Sequence, residues 1–400
     1  RWPSQPVVVV CIDGGDPSYF HQALRDSIVP NIESFMEDGF GTIGEGVVPS
    51  LTNPNNMSIV TGSPQSVHGI SGNYFLHPET GAEVMMNEPE YLRSDSVLAE
   101  FSRQGAKVVA ITAKDKLRRQ LGRNFDMTGG SINFSSEKAD QCTLEENGIE
   151  NVLDLVGLPL PEVYSAELSL FIFEAAARIL ERDRPDIMYL STTDYIQHKY
   201  PPGSTEINDL YAKRDSAFGR LVALGAVVGI TADHGMNAKC HADGTPRVIY
   251  VEDELREKFG AGHIVICPIT DPYVVHHGAL GSYVTVHLAD PNRADEIAEW
   301  LRGLDGVTEV LAKSEAAEAL ELPANRIGDL IVMSAADTVL GRSPEYHDLS
   351  KLDRPLRSHG GRFETMVPFI FSSPLNAEYT VKAADDPRNF DVFDFVCNGF

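Results

Sequence analysis

Carboxylate and imidazole side chains recur in four short clusters that are spread along the whole chain. Taken alone, each cluster has an ordinary explanation, because an aspartate after a strand is often a helix N-cap and a histidine beside glycine is often a loop residue. Together they supply oxygen and nitrogen donors of the kind that Zn²⁺ binds. The clusters are Asp13, Asp194 with His198 four residues later, Asp233-His234, and His359.

A further donor is Thr52, in the segment VVPSLTNPNNMSIVTG at residues 47–62. One interpretation is that Thr52 caps a helix beginning near Pro54, since proline is favoured in a first helical turn and threonine hydroxyls satisfy free N–H groups. The other is that Thr52 is a nucleophile at a helix N-terminus, where anions bind favourably. The segment alone favours the cap, so the rest of the chain must decide.

With Thr52, the chain offers enough donors to hold two cations and to leave each a coordination position for substrate. Three carboxylates brought together without metal would repel one another and take up protons. Two divalent cations about 4 Å apart would relieve this repulsion and would clamp a phosphoryl group between them. We therefore predict a two-metal site for phosphoryl chemistry.

The elements that must position these donors are five apolar strands, three of which end in an aspartate. Helical stretches such as 165–184 lie between several of the strands. This alternation is typical of an α/β doubly wound, mostly parallel sheet, in which reactive groups collect at the carboxyl ends of the strands. The predicted strands span 6–13, 106–113, 185–194, 224–233 and 366–373.

The sequence pattern changes in the segment 239–343. Strand-like and helical stretches alternate there, which favours a smaller α+β lid inserted into the core. We therefore predict a catalytic core formed by 1–238 and 344–400, with the inserted cap between them. The stretches are strand-like at 282–289, helical at 292–304, and strand-like again at 307–313 and 329–335, with an acidic helical run between the last two.

Composition limits the classes of partner. With 33 basic and 58 acidic residues the formal charge is −25, and long-range repulsion then opposes binding to nucleic acid or to an anionic membrane. A small anionic substrate is not excluded, because bound cations reverse the field locally. No apolar run reaches the roughly 18 residues of a membrane span.

The five cysteines are scattered and form no CxxC pair, which favours a reducing, cytoplasmic location. The chain begins with Arg1 rather than Met. We therefore expect that it has been trimmed, and a leader before Arg1 stays open. A homodimer is also left open.

The region around Thr52 resembles the nucleophile region of the alkaline phosphatase superfamily, in the branch of the nucleotide pyrophosphatases/phosphodiesterases. The other clusters follow in the order of that branch, so the likeness covers the whole core. It is carried by TNPNN at 52–56, SIVTG at 58–62, HGI at 68–70, GN at 72–73, DGG at 13–15, DYIQH at 194–198, DHG at 233–235 and HG at 359–360.

The resemblance implies two Zn²⁺ per chain and assigns the donors to them. Asn73 would donate to a non-bridging phosphoryl oxygen, and Thr52 would be the nucleophile rather than a cap. One zinc would be held by Asp194, His198 and His359, and the other by Asp13, Thr52, Asp233 and His234.

The implied reaction is an in-line attack of the Thr52 oxygen on phosphorus. It gives a phospho-threonine, which water then hydrolyses. A sulfatase is disfavoured because the nucleophile region has no Cys-x-Pro-x-Arg segment. A cofactor-independent mutase of the superfamily would be expected to use serine.

The substrate prediction depends on Lys114 and Lys116, which follow the predicted strand 106–113. In an extended chain they would point to the same side. They could form a solvated basic loop with Arg118 and Arg119, yet they match the place where the C–P bond hydrolase of this branch carries carboxylate-binding lysines. C–P cleavage expels a carbanion, which an adjacent carboxylate and ammonium groups can stabilise. We therefore predict that phosphonoacetate is hydrolysed to acetate and phosphate.

Two alternatives stay open. A nucleotide pyrophosphatase or phosphodiesterase would need an aromatic slot for a base, which Tyr74, Phe75 and Tyr195 could supply. A non-catalytic binding protein of the same fold is disfavoured because the donor set is intact. His276 and His277 lie in the predicted cap, and we interpret them as packing residues rather than substrate contacts.

Overall fold

A seven-stranded sheet forms the centre of the molecule in the computed structural model, which describes residues 2–270 and 276–400. Arg1, before which the sequence analysis expects trimming, lies outside the described residues. Five neighbouring strands are parallel. Four of them lie within predicted strands and the fifth, Ile132–Ser135, is not among the predicted ones, but the α/β fold class is confirmed. In spatial order the strands are Phe40–Glu45, Met366–Phe371, Val227–Thr231, Val7–Cys11, Ile187–Ser191, Val108–Thr112 and Ile132–Ser135.

The strand Val7–Cys11 is apolar throughout because both of its faces are buried. Val8 and Val10 pack into one hydrophobic core, and Val7 and Val9 pack into another on the opposite face. The continuous apolar run of the sequence is therefore the signature of a sheet covered on both sides.

Helices cover both faces of this central sheet. The predicted helix 165–184 is present as Glu167–Asp183. It shares its face with Pro17–Arg25, Pro30–Ser34, Val152–Val156 and Thr205–Ala223. The other face is covered by Thr52–Thr61, Val97–Arg103, Asp115–Leu121, Ala377–Lys382 and Val392–Asn398. Two short helices, Gln65–His68 and Leu144–Asn147, complete this part of the chain.

The edge of the central sheet differs from a uniformly parallel arrangement. The predicted strand at 366–373 is present as Met366–Phe371, but it runs antiparallel to Val227–Thr231. Phe40–Glu45 pairs antiparallel on its outer side. An antiparallel strand returns along the sheet without a crossover helix, so the last strand reaches the sheet directly from the loop that carries His359.

A second, four-stranded antiparallel sheet lies within 239–343. One of its faces packs against two helices, Val251–Phe259 and Ala294–Arg302, and the other against Lys313–Ala319 and the core residue Val48. On this basis we propose that 239–343 is the inserted α+β cap. Its strands in spatial order are Ile264–Ile266, Tyr283–His287, Leu330–Ser334 and Val307–Ala312.

Three short strand pairs tie the loops to these sheets. Asn237–Ala238 pairs antiparallel with Arg357–Ser358, which brings the segment after His234 beside the segment before His359. The other pairs are Tyr74–Leu76 with Glu83–Met85 and Val248–Tyr250 with Val339–Gly341. Among the described residues, no helix combines the length and apolarity needed to cross a bilayer.

Candidate metal centre

Six predicted ligands meet in two groups of three at the carboxyl edge of the central sheet. Within each group the carboxylate oxygens and imidazole nitrogens all lie within 4.8 Å of one another. The groups match the two sets that the resemblance implies, apart from Thr52. They are Asp194, His198 and His359, and Asp13, Asp233 and His234.

Strand order explains why the three aspartates meet. Asp13, Asp194 and Asp233 each lie two or three residues beyond a strand end. Those three strands are neighbours, with Val7–Cys11 between the other two. Parallel neighbours end at the same edge of a sheet, so acids that are distant in sequence are brought to one place.

The three histidines are oriented by backbone carbonyls. A carbonyl oxygen only accepts hydrogen bonds, so a ring nitrogen bonded to one must carry a proton. The other nitrogen of a neutral ring then keeps a free lone pair, which is the usual arrangement for a metal ligand. The bonds run from His198 Nδ1 to Arg357 O at 2.7 Å, from His234 Nδ1 to Gly235 O at 2.8 Å, and from His359 Nδ1 to Ser50 O at 2.7 Å.

The Nε2 atoms consequently face carboxylate oxygens. His234 Nε2 lies 3.1 Å from Asp13 Oδ1, and His359 Nε2 lies 3.5 Å from an oxygen of Asp194. Asp13 Oδ1 is buried and receives no hydrogen bond from the described residues. Opposed lone pairs without a donor between them repel, and a divalent cation would satisfy both. The donor set therefore fits a borderline metal such as zinc.

Burial and crowding in this site also shift the pKa values of the three aspartates. Burial, together with the other two aspartates, raises the pKa of Asp13 well above its ordinary value. Burial and the charge of Asp194 raise the pKa of Asp233 to about 8. Burial also works against ionised Asp194, but a proton between its carboxylate and the His198 and His359 rings outweighs burial and holds the pKa of Asp194 well below its ordinary value; a cation would take the place of that proton. Bound cations would let all three acids ionise.

Thr52 is the first residue of the helix Thr52–Thr61, which we call the nucleophile helix. The residue at the N-cap position is Leu51, and Thr52 makes no capping hydrogen bond. The helix thus begins two residues before Pro54, and the cap interpretation is wrong. Instead, Thr52 Oγ1 lies 3.5 Å from His234 Nε2.

Buried asparagines fix the start of the nucleophile helix. Asn55 donates to Leu51 O at 3.1 Å and accepts from Val47 N at 2.8 Å. Asn56 Oδ1 accepts from the hydroxyls of Tyr189 and Ser191, at 2.7 and 2.9 Å, which join it to a strand of the central sheet. These bonds satisfy polar groups that would be costly to bury alone, and they hold Thr52 against the sheet edge.

Asn73 contacts the first turn of the nucleophile helix. Its Oδ1 accepts from Asn53 N at 2.8 Å, and its Nδ2 donates to Ile269 O at 2.6 Å. An amide nitrogen carries two hydrogens, so the bond to Ile269 uses one of them. The predicted bond from Asn73 to a phosphoryl oxygen would use the other.

A cavity of about 340 Å³ adjoins both ligand groups and is also lined by Thr52, Asn73, Lys114 and Lys116. The expectation that the two lysines lie in extended chain is wrong, because a helix begins at Asp115 and includes Lys116. They nevertheless line the same cavity. Burial lowers the pKa of Lys114, and Lys116 adds to the effect.

Two histidines that the sequence analysis set aside also line the cavity. The ring of His277 stacks on His198 with 4.6 Å between centroids, and the ring of His276 lies 5.1 Å from the same ring. They pack against a predicted ligand but also line the cavity, so their interpretation as packing residues rather than substrate contacts stays a prediction. Burial lowers the pKa of His276 to about 3.

Tyrosines complete this wall. Tyr164 and Tyr195 lie 5.3 Å apart between ring centroids, and the Lys114 ammonium lies 5.1 Å from the centroid of Tyr164. Of the three aromatic residues suggested for a base-binding slot, Tyr195 lines the cavity, whereas Phe75 is buried in the core. Tyr164 follows no motif, and nothing in the sequence pointed to it.

Comparisons with known proteins agree with this geometry. A family model described as type I phosphodiesterase / nucleotide pyrophosphatase matches residues 7–362. A curated relative is an uncharacterized pyrophosphatase/phosphodiesterase of Schizosaccharomyces pombe, 22% identical over 222 residues. That alignment covers 54% of this chain and only 40% of the yeast protein.

Solved structures extend the likeness to the whole chain. Phosphonoacetate hydrolase from Sinorhizobium meliloti 1021 in complex with phosphonoformate is 48% identical, with a TM-score of 0.95 over 100% of this chain and 96% of that one. Its complex with phosphonoacetate is 47% identical, with a TM-score of 0.94 over the same shares.

A more distant structure, murine ectonucleotide pyrophosphatase / phosphodiesterase 5 in complex with AMP, shares the fold at 17% identity. Its TM-score is 0.66 over 98% of this chain and 94% of that one. The family match and the close structures confirm the resemblance seen in the sequence. The chain is a hydrolase that belongs to the type I phosphodiesterase / nucleotide pyrophosphatase family, in the alkaline phosphatase superfamily.

Proposed function

We propose that this protein hydrolyses the C–P bond of phosphonoacetate, giving acetate and phosphate. The observation that carries the proposal is one cavity that joins Thr52, 3.5 Å from His234 Nε2, to two lysine ammonium groups. The likeness to a phosphonoacetate hydrolase at 48% identity over the full chain supports it.

We propose two Zn²⁺ per chain, held as the two ligand groups suggest, with Thr52 joining Asp13, Asp233 and His234. When bound, the cations would favour the ionised Thr52 hydroxyl and neutralise charge on the phosphoryl oxygens. The remaining chemistry belongs to side chains of this chain.

Thr52 supplies the oxygen that attacks phosphorus. Its position at the first turn of the nucleophile helix places the phosphoryl group at the positive end of the helix dipole, where negative charge is stabilised. The second N–H of Asn73 donates to an equatorial phosphoryl oxygen. A Thr52–phosphorus bond forms, the phosphorus–carbon bond breaks, and water later cleaves the phospho-threonine to release phosphate and restore the hydroxyl.

The two lysines act on the leaving group. The electron pair of the broken bond passes to the methylene carbon and is delocalised into the adjacent carboxylate. Ammonium groups on that carboxylate stabilise the charge that builds up in the transition state. The Thr52 hydroxyl loses one proton and the carbon gains one, so the first half-reaction yields acetate in balance.

A nucleotide phosphodiesterase is the second candidate, because Tyr164 and Tyr195 line the cavity and offer rings on which a base can stack. The lysines argue against it, since neither half of a nucleotide diester carries a carboxylate for them to bind. To separate the two, phosphate release from phosphonoacetate would be compared with cleavage of bis(p-nitrophenyl) phosphate. We expect phosphonoacetate to have the higher kcat/KM, and faster turnover of the diester would contradict the substrate assignment.

A further inference from the structure

Lys239 is a buried charged residue that is not among the residues lining the substrate cavity. Its side chain and that of Glu364 are both 0% exposed, and Nζ lies 2.7 Å from Glu364 Oε1. Lys239 also donates to Ser282 Oγ at 2.7 Å and to Ala336 O at 2.8 Å. All three hydrogens of the ammonium are therefore used, so this buried charge is fully hydrogen-bonded.

The partner carboxylate continues the network toward the metal ligands. Glu364 Oε2 accepts from Gly361 N at 3.2 Å, two residues after His359. The backbone carbonyl of Glu364 accepts from Gly235 N at 2.7 Å, one residue after His234. One residue thus contacts the backbone beside a ligand of each metal group.

The cap takes part in the same network. Ser282, which accepts from Lys239, donates its backbone N–H to His359 O at 2.9 Å. Its hydroxyl donates to Thr338 O at 2.7 Å. Ser282 and Thr338 both belong to the proposed cap, so the ammonium joins the cap to the loop that carries His359.

We propose that Lys239 is a positioning residue which, through Glu364 and Ser282, holds His234 and His359 in the geometry that binds two cations. The inference rests on the proposed metal sites and concerns residues that touch neither cation nor substrate. A buried pair contributes little net stability compared with apolar residues, so geometry at the ligand loops is the better reason for keeping a charge here. Residues that orient ligands in this way typically alter metal affinity by about 10–100-fold.

The test is zinc affinity, measured on metal-free protein by competition with a chelating indicator. Lys239→Met should weaken zinc binding by at least ~10-fold, and Ser282→Ala, which removes one acceptor of the ammonium and the donor to Thr338 O, should weaken it by a smaller factor. Arg362→Met is the matched control: Arg362 also joins the His359 loop to the cap, through Glu309, but at the surface. The control should bind zinc as the wild type does.

Unfolding midpoints with and without zinc separate positioning from general stability. We expect the zinc-induced rise in midpoint to shrink in Lys239→Met and Ser282→Ala and to stay unchanged in Arg362→Met. If both variants lose stability but bind zinc as tightly as the wild type, the inference is wrong. If Lys239→Met does not fold, the zinc affinity of Ser282→Ala alone tests the inference. A wild type that binds no zinc would overturn the metal sites themselves, which is a distinct result.

Discussion

The rings of His234 and His359 stack with 3.5 Å between their centroids and 8° between their planes. The two residues belong to different ligand groups. Because each ring is also bonded through Nδ1 to a carbonyl oxygen, the stack fixes both Nε2 atoms at once. The spacing of the two proposed cations is thus determined by side chains that are already in place before any cation binds.

Because the aspartates are crowded, we expect Asp233→Asn to change the free energy of unfolding in opposite directions with and without bound metal. The folded, metal-free protein holds a proton on Asp233 up to about pH 8, whereas the unfolded chain releases it near pH 4. Stability therefore falls as the pH rises through this window. At pH 8, Asp233→Asn should raise the free energy of unfolding of the metal-free protein by roughly 2 kcal/mol or more, and below pH 4 by much less.

In the presence of zinc the same substitution should lower stability, because a ligand is lost. Urea unfolding at pH 4 and pH 8, with and without zinc, measures both effects. Glu150→Gln, at an exposed position, is the control and should change neither. A stabilising effect of Asp233→Asn in the zinc-loaded protein would contradict the ligand assignment.

The position of Thr52 predicts a loss of chemistry without a loss of structure. Thr52→Ala should lower kcat for phosphonoacetate by at least ~1,000-fold, as removal of a nucleophile does, while most of the bound zinc is retained. Thr52→Ser should keep part of the activity because the hydroxyl remains. Thr61→Ala, at the other end of the same helix, is the control for helix stability. Full activity in Thr52→Ala would refute the nucleophile assignment.

The two lysines should matter only for substrates that carry a carboxylate. Lys114→Ala and Lys116→Ala should each lower kcat/KM for phosphonoacetate by about 10–150-fold, the equivalent of one charged hydrogen bond. Turnover of p-nitrophenyl phosphate should change far less. Arg119→Ala, in the same helix but paired with Glu88 near the surface, should affect neither substrate. Equal losses on both substrates would remove the basis for the substrate assignment.

His68 predicts acid sensitivity of the fold. It is fully buried, its Nδ1 accepts from Ile70 N at 3.1 Å, and its Nε2 lies 2.9 Å from Ser58 Oγ. Protonation would set two donors against each other at Nδ1, and burial, with a smaller effect of Arg326, lowers the pKa of His68 to about 3. The unfolded histidine takes up its proton near pH 6.5.

The contribution of His68 is therefore complete above pH 6.5 and is lost as the pH falls toward 3, at about 1.4 kcal/mol per pH unit. Between pH 7 and pH 5 the free energy of unfolding of the wild type should fall by about 2 kcal/mol more than that of His68→Gln. His241→Gln, at an exposed histidine, should follow the wild type. Parallel pH profiles for wild type and His68→Gln would show that the buried ring is not the cause.

The aspartates were predictable because a strand buried on both faces leaves a long apolar run, and the acid that ends it must lie at the carboxyl edge. Thr52 could be singled out because turn-forming residues surround it, but Pro54 suggested a helix start that is two residues too late. Lys116 was placed in extended chain because nothing in the sequence marks a helix that begins at Asp115 without a side-chain cap.

Other features depend on tertiary contacts that leave no local pattern. His276 and His277 lie in an irregular segment, and only the fold brings them against His198. The direction of the strand Met366–Phe371 is set by how the chain returns from the His359 loop, which hydrophobicity does not encode. The Lys239–Glu364 pair likewise joins residues 125 positions apart in sequence.

The nucleophile helix is buried from Asn53 to Val60, so it has no side on which substitutions can accumulate freely. Variation in the substrates that the enzyme accepts is then confined to another part of the cavity wall, where separate segments of the chain contribute Lys114, Tyr164 and His276. Laboratory evolution toward new leaving groups should accordingly enrich changes at that wall and leave the helix as it is.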